Sequence, residues 1–295
     1  MAIARAIRRI AGTAFRGLDS WRMRWLALFS EPMSQPLAIA AFFAERIKVN
    51  AISREIRDGQ CLWIKQRRRS AAFTLAGANR FFRLAGNPVQ AITDLGDWQR
   101  WEVACFQRLH GDEFRAFAEG ERIVVAEAVP GVSLAHHLER AALTPAMAAA
   151  AARELRRAHA MECDTFEDAW SHGDPHAGNF LYNAAQDRAR LIDFEVRHHR
   201  ELPASERHAD DLLVFLQDVV GRVTAEAWLP LALAFLDAYD QPEVVARLAP
   251  RLILPSGVAR LWWAVRTTYL PAKVLVARLG ELRDAISRPG MAARC

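Results

Sequence analysis

His172-Gly-Asp-Pro-His-Ala-Gly-Asn179, followed further on by Leu191-Ile-Asp-Phe-Glu195, is the stretch that decides how this chain reads. It sets a carboxylate, Asp174, five positions before an amide, Asn179, and a second carboxylate, Asp193, at the close of an apolar run. Transfer of a phosphoryl group from ATP uses such a set. One carboxylate takes the proton of the attacking hydroxyl, while an amide and a second carboxylate hold the metal ions that neutralise the phosphates. A zinc hydrolase is the competing reading, since His172, Asp174 and His176 are all zinc-ligand types. Asn179 is not a usual zinc ligand, and Asp193 ends a strand-like run (Arg190 to Phe194) after a polar turn, so the first reading is preferred.

The order and spacing fit H-x-D-x-x-x-x-N…D-F-x, and in this the chain resembles the protein-kinase-like superfamily. Within it the chain looks nearest to bacterial small-molecule kinases, of the aminoglycoside-phosphotransferase and lipopolysaccharide core-sugar kinase types. The H-x-D-P-H-x-G-N wording also resembles UbiB-type atypical kinases. The resemblance implies an α+β, two-lobed protein-kinase-like fold: a small antiparallel-sheet N-lobe and a mainly helical C-lobe. It implies ATP and Mg²⁺ as cofactors and an alcohol group as acceptor. Asp174 and His172 then belong to the catalytic loop, with Asp174 as base and His172 more as its support. Asn179 and Asp193 would be the metal ligands.

Upstream, Asn50–Gln66 reads as a hairpin about Asp58-Gly59. On its second strand Leu62 and Ile64 share one face, and Cys61, Trp63 and Lys65 the other. The chain has only three lysines, Lys48, Lys65 and Lys273. Lys65, ending an apolar strand, matches the lysine that grips the ATP phosphates. Trp98–His110 reads as a helix with an apolar stripe of Trp101, Ala104, Cys105 and Leu109. Glu102 within it matches the glutamate that orients the lysine; Glu113 and Glu119 lie in loop-like sequence. Arg122–Ala128 reads as a strand leading to a hinge, where Glu127 and Val129 would bracket the adenine. Thr144-Pro145 opens a helix running to about His159. In the helix Arg207–Val220, Asp211 resembles the aspartate that braces the catalytic loop from below.

Three departures from the pattern stand out. No G-x-G-x-x-G precedes Lys65, so the phosphate clamp would be the hairpin turn or an unrecognised segment. Phe73–Asp97 is an insertion, and a rival register makes Leu75-Ala-Gly-Ala-Asn79 the loop and Arg83 the phosphate grip. Glu195 stands where a glycine follows Asp-Phe, which implies a constitutively set metal site. The arginines Arg67-Arg68-Arg69 read as a solvated basic edge in preference to a site for an anionic substrate.

The 295 residues suit a basic N-terminal segment (1–48), an ATP-gripping N-lobe (49–128) and a C-lobe for catalysis and substrate (129–295). Residues 1–48 hold eight basic against three acidic side chains, which equals the net charge of +5 for the whole chain. The basicity is local, so no nucleic-acid partner is expected. Residues 2–29 have the pattern of an Arg-rich amphipathic helix, suited either to a lipid headgroup layer or to packing on the small lobe. The four cysteines show no C-x-x-C spacing and read as reduced thiols of a cytoplasmic protein. No apolar run reaches the roughly 18–20 residues that span a bilayer.

The function expected is phosphorylation of a hydroxyl on a small molecule or glycolipid, such as a lipopolysaccharide core sugar at the cytoplasmic membrane face. The alternatives are a membrane-associated pseudokinase or nucleotide-binding module, and a UbiB-like kinase in lipid or quinone metabolism, whose lysine-glycine-glutamine signature is missing here.

Overall fold

The structure is a computed structural model that describes residues 49–267 and 270–288. The basic segment 1–48, with the helix and membrane contact expected over residues 2–29, lies outside the described residues.

Asp58 and Gly59 take left-handed φ values of 51° and 79°, as a two-residue turn between twisted strands requires. They join β1 (Asn50–Arg57) to β2 (Gln60–Arg67), antiparallel in unbroken register from Asn50 opposite Arg67 to Arg57 opposite Gln60. The inserted stretch is not a loop: it forms helix α1 (Ala71–Leu84) and strand β3 (Val89–Ala91). The rival glycine loop, Leu75 to Asn79, is therefore the middle of a helix, and Arg83 lies exposed in its last turn.

Helix α2 (Leu95–His110) starts earlier than expected because Asp94 caps it, accepting the Asp97 N–H at 2.8 Å. Its buried face runs through Trp98, Trp101, Glu102, Cys105 and Leu109. Ala104, expected in that stripe, is off this face and exposed. Strands β4 (Ala116–Glu119) and β5 (Ile123–Glu127) complete an antiparallel sheet of order β1-β2-β5-β4. Leu62, Ile64 and Val125 are buried together on one of its faces.

The chain continues through β6 (Val132–Ser133), α3 (Leu134–Glu139) and α4 (Pro145–His159). Thr144 Oγ1 accepts the Met147 N–H and Pro145 takes the first helical position, so α4 begins where the sequence says. Short strands follow: β7 (Glu162–Cys163), β8 (Asp168–Ala169), β9 (Phe180–Asn183), β10 (Arg188–Leu191) and β11 (Val196–His198). Helices α5 (Ala204–Arg222), α6 (Trp228–Tyr239), α7 (Pro242–Leu248), α8 (Gly257–Thr267) and α9 (Ala272–Ile286) end the described chain.

Helix α5 is buried from Arg207 to Gly221, with α7, α8 and α9 packed on it. The alanines of α4 (Ala148, Ala151, Ala152 and Ala158) are fully buried, and α6 lies along that helix. The α+β layout expected, a small antiparallel sheet ahead of a mainly helical part, is what the structure has. Among the described residues no helix is long and apolar enough to cross a membrane.

Candidate active site

Alternation along β2 turns Leu62 and Ile64 into the sheet's buried face and leaves Lys65 on the other. There Lys65 Nζ lies 2.6 Å from Glu102 Oε1 of α2, 2.6 Å from Asp193 Oδ1, and 3.4 Å from Glu195 Oε1. Burial works to lower the Lys65 pKa, but the carboxylates of Asp193, Glu102 and Glu195 outweigh it and raise it. Burial likewise works to raise Asp193, yet the Lys65 ammonium holds it below its ordinary value. Burial raises Glu102 despite Lys65. Burial and the charge of Asp193 push Glu195 up to about 7. Three carboxylates thus share one ammonium, with the Arg67 guanidinium as a further positive neighbour. The excess of negative charge, presented by oxygen atoms, suits a hard divalent cation.

A hairpin brings the other polar groups to this point. Strands β9 and β10 pair from Phe180 opposite Leu191, so Asn179 just before the hairpin meets the residues just after it. The Ile192 N–H donates to the Asn179 carbonyl at 2.9 Å. The strand stops at Leu191, and Asp193 takes φ 69°, beyond the run that the sequence had extended to Phe194. The Asn179 side-chain NH₂ donates to the Asp174 carbonyl at 2.9 Å, which leaves its Oδ1 as the atom available to a cation.

The loop from Ser171 to Asn179 is held from beneath. Asp211 accepts the N–H groups of His172 at 2.7 Å and Gly173 at 2.8 Å, and His159 Nε2 at 2.9 Å. Seven residues along the same helix, Asp218 accepts the Ala177 N–H at 2.8 Å. Burial disfavours the Asp211 charge, but His198 and His159 beside it hold its carboxyl well below the usual carboxylate range.

His172, expected among the catalytic residues, is 1% exposed and occupied within the protein. Its Nε2 contacts the Ile192 carbonyl at 3.1 Å and its Nδ1 accepts the Asp174 N–H at 3.2 Å. With both nitrogens engaged it cannot ligate zinc, and it stands as a positioning residue between the two carboxylate-bearing segments. Asp174 is partly exposed, 4.0 Å from His176 Nε2. Among the described residues no three His, Cys, Asp or Glu side chains gather as a metal cage.

After Asp193, Phe194 is buried edge-on against Trp170, with ring centroids 6.0 Å apart. Asn50 of β1 donates to the Glu195 carboxylate, and β11 pairs antiparallel with β3 of the insertion. The insertion therefore clamps the segment that follows Asp193.

Other expectations land differently. Arg67 is no solvated edge. It is 1% exposed, lies 4.2 Å over the Trp98 ring, and donates to Asn50 and to the Ile92 carbonyl; Arg68 and Arg69 are exposed. The hairpin turn at Gly59 is six residues from Lys65, roughly 20 Å along an extended strand, so it lies out of reach of the groups around Lys65. Glu127 ends β5 opposite Leu62 and its carboxylate accepts the Arg115 N–H; Val129 is buried in the main core. Glu113 pairs with Arg188 and Arg190, and Glu119 with Arg57, away from Lys65.

Asn50, Arg67, Glu195 and Asp218 join the arrangement without having been assigned to it from sequence. Asp218 had a signal: it lies two helical turns after Asp211, with the apolar Val214 and Phe215 between them on that face.

No protein-family model and no curated protein sequence matches this chain. Among solved structures it is similar to an ethanolamine kinase of Plasmodium vivax, at 10% identity and TM-score 0.41, over 96% of this chain and 98% of that one. It is similar to Rv3197 of Mycobacterium tuberculosis, solved with erythromycin, at 17% identity and TM-score 0.37, over 81% of this chain and 71% of that one. It is also similar to the ADP-bound aminoglycoside phosphotransferase APH(2'')-Ib, at 12% identity and TM-score 0.37, over 83% of this chain and 96% of that one.

Proposed function

We propose that this chain is an ATP-dependent phosphotransferase acting on a hydroxyl of a small molecule or glycolipid. The observation that carries the reading is the meeting of Lys65 with both Glu102 and Asp193 at 2.6 Å. An ammonium anchored by one carboxylate and touching another is arranged to grip a phosphate chain beside a cation site. In this reading Lys65 pairs with the α/β-phosphates and Glu102 keeps it in place. The backbone from Glu127 to Val129 meets the adenine.

Asn179 Oδ1 and the Asp193 carboxylate would hold Mg²⁺, which supplies charge neutralisation on the phosphates when bound. Asp174 orients the acceptor hydroxyl and takes its proton, while Asp211 and His172 fix the loop that carries it. The nucleotide side comprises residues 49–128 and the acceptor side residues 129–295. The finer reading is a lipopolysaccharide core sugar, met at the cytoplasmic membrane face through the basic residues 2–29.

Transfer of label from γ-labelled ATP to a bacterial sugar and lipid extract tests this. Mg²⁺-dependent labelling that disappears in Asp174→Ala supports it. Labelling that survives the substitution removes Asp174 as the base. Absence of both labelling and any Mg²⁺-ATP effect on thermal melting removes the reading.

A further inference from the structure

Helix α1 uses one face to hold the insertion in place. Ala71, Leu75 and Phe82 turn inward and are buried with Val89 and Ala91 of β3. At about 100° per residue, Phe73, Gly77, Arg80 and Leu84 fall within about 60° of one another on the opposite side. Phe73 is 89% exposed and Leu84 67% exposed. A lone exposed apolar side chain is ordinary. Two on one line of a helix, about three turns apart, form a stripe that nothing in the fold of α1 requires.

The charge around this stripe has one sign. No aspartate or glutamate occurs between Asp58 and Asp94, whereas Arg68, Arg69, Arg80 and Arg83 are all exposed. Among the described residues none of these four guanidinium groups pairs with a carboxylate. Elsewhere surface arginines are matched: Arg57 by Glu55 and Glu119, and Arg188 by Glu113. Ile253, itself exposed, borders the same opening as Ala85 and Gly86 just past Leu84, and so adds to the apolar surface at that end of the helix.

Apolar side chains standing out from a helix and bordered by unmatched arginines fit the boundary between lipid headgroups and acyl chains. There a ring and a leucine enter hydrocarbon while guanidinium groups stay at the anionic phosphates, their stems lying along the apolar surface. Ala76 and Gly77 between them keep the face low enough for the helix to lie flat. A nucleic acid would meet the arginines but leave Leu84 and Ile253 in water, since neither offers anything to a phosphate.

We propose that the outer face of α1 docks on an anionic membrane surface, with Phe73 and Leu84 entering the acyl boundary and Arg68, Arg69, Arg80 and Arg83 meeting lipid phosphates. The inference goes beyond the reading above, which puts membrane contact in residues 2–29, and it does not depend on phosphate transfer. Asn79 of α1 holds β3, and β3 pairs with β11. The docked helix is therefore one strand away from the segment that follows Asp193.

The test sediments the full chain with vesicles of phosphatidylcholine alone and of phosphatidylcholine and phosphatidylglycerol in equal parts, and titrates it with an oligothymidylate. Two double variants alter the face at exposed positions, where the fold tolerates change. Phe73→Ser with Leu84→Ser removes the apolar pair, and Arg80→Gln with Arg83→Gln removes charge. A third variant, Arg5→Gln with Arg8→Gln and Arg9→Gln, alters the N-terminal segment alone.

The unmodified chain is expected to bind the anionic vesicles in preference to the neutral ones. Each α1 variant should bind them about ten-fold more weakly while melting at the temperature of the unmodified chain. Full binding in either α1 variant overturns the surface; if binding falls only in the N-terminal variant, contact through residues 2–29 stands without α1. Equal binding to both kinds of vesicle overturns the anionic lipid as partner, and so does a preference for the oligothymidylate. No vesicle binding by the unmodified chain overturns the inference together with membrane contact through residues 2–29.

Discussion

Lys65 and Asp193, 128 positions apart, meet at 2.6 Å, and the same ammonium reaches Glu102 at the same distance. Replacing Lys65 by methionine leaves three crowded carboxylates with one positive neighbour fewer. Phosphotransfer in Lys65→Met should fall by about 10²-fold or more, as expected when a charge that faces the reacting groups is removed. Asp193→Ala should abolish the Mg²⁺-dependent part of the melting shift produced by ATP. Melting curves with ATP alone and with Mg²⁺-ATP separate the two effects. A full shift in Asp193→Ala would reject it as a metal ligand.

Asp211 is buried and accepts two backbone N–H groups of the loop as well as His159. Asp211→Ala strands those donors without solvent, at a cost of about 3–5 kcal/mol by analogy with a broken buried pair. The milder Asp211→Asn keeps one acceptor oxygen. It should lower kcat while leaving the KM for ATP close to its starting value, since Lys65 and Glu102 lie on other elements. Equal damage to both constants would mean that Asp211 supports the whole fold and not the loop in particular.

Asn79 sits in helix α1 and latches strand β3 with both ends of its amide. Its NH₂ donates to the Ala91 carbonyl at 2.9 Å, and its Oδ1 accepts the Ala91 N–H at 2.7 Å. Because β3 pairs with β11, the latch reaches the segment after Asp193. Asn79→Ala should cost about 1–3 kcal/mol for two unmet backbone groups. Hydrogen exchange should quicken in residues 196–198. Exchange confined to α1 would show that β3 holds without the latch.

His159 and His208 stack with ring centroids 3.8 Å apart. Burial, with His159 alongside, pushes His208 down to about 3, and burial lowers His159 too. In the unfolded chain both take protons near about pH 6.5. Below that pH the unfolded state binds protons that the native state refuses, so the stability present above it is lost progressively as pH falls towards 3. The melting temperature should drop between pH 7 and pH 5, and His208→Gln should flatten that slope. An unchanged slope would place the pH dependence elsewhere.

Trp63 lies two residues before Lys65 on the same face of β2 and is 44% exposed, so a nucleotide gripped by Lys65 would cover it. Mg²⁺-ATP should alter tryptophan emission in the unmodified chain, and the change should be lost in Trp63→Phe. A response that persists in Trp63→Phe would put the base away from this face.

Several of these features could be read before any coordinates. The Asp58-Gly59 turn, the start of α4 at Thr144-Pro145 and the order of Asp174, Asn179 and Asp193 are written in short stretches. So is the candidacy of Lys65 and Glu102, through strand alternation and helical spacing. The insertion was legible only as an excess of residues. Arg67 was misread because its neighbours Arg68 and Arg69 suggested solvent, and burial against Trp98 is not a property of the basic run.

By itself the sequence determined what depends on neighbours along the chain: turns that need left-handed φ, helix caps, and the alternating faces of a strand. Tertiary structure alone decided that Asp193 and Glu195 join Glu102 around Lys65, that β3 seizes β11, that Asn179 meets the residues before Asp193 through a β9–β10 hairpin, and that Arg67 is enclosed. Those outcomes follow from side-chain packing and charge balance between segments tens to more than a hundred residues apart. No local preference encodes such balances.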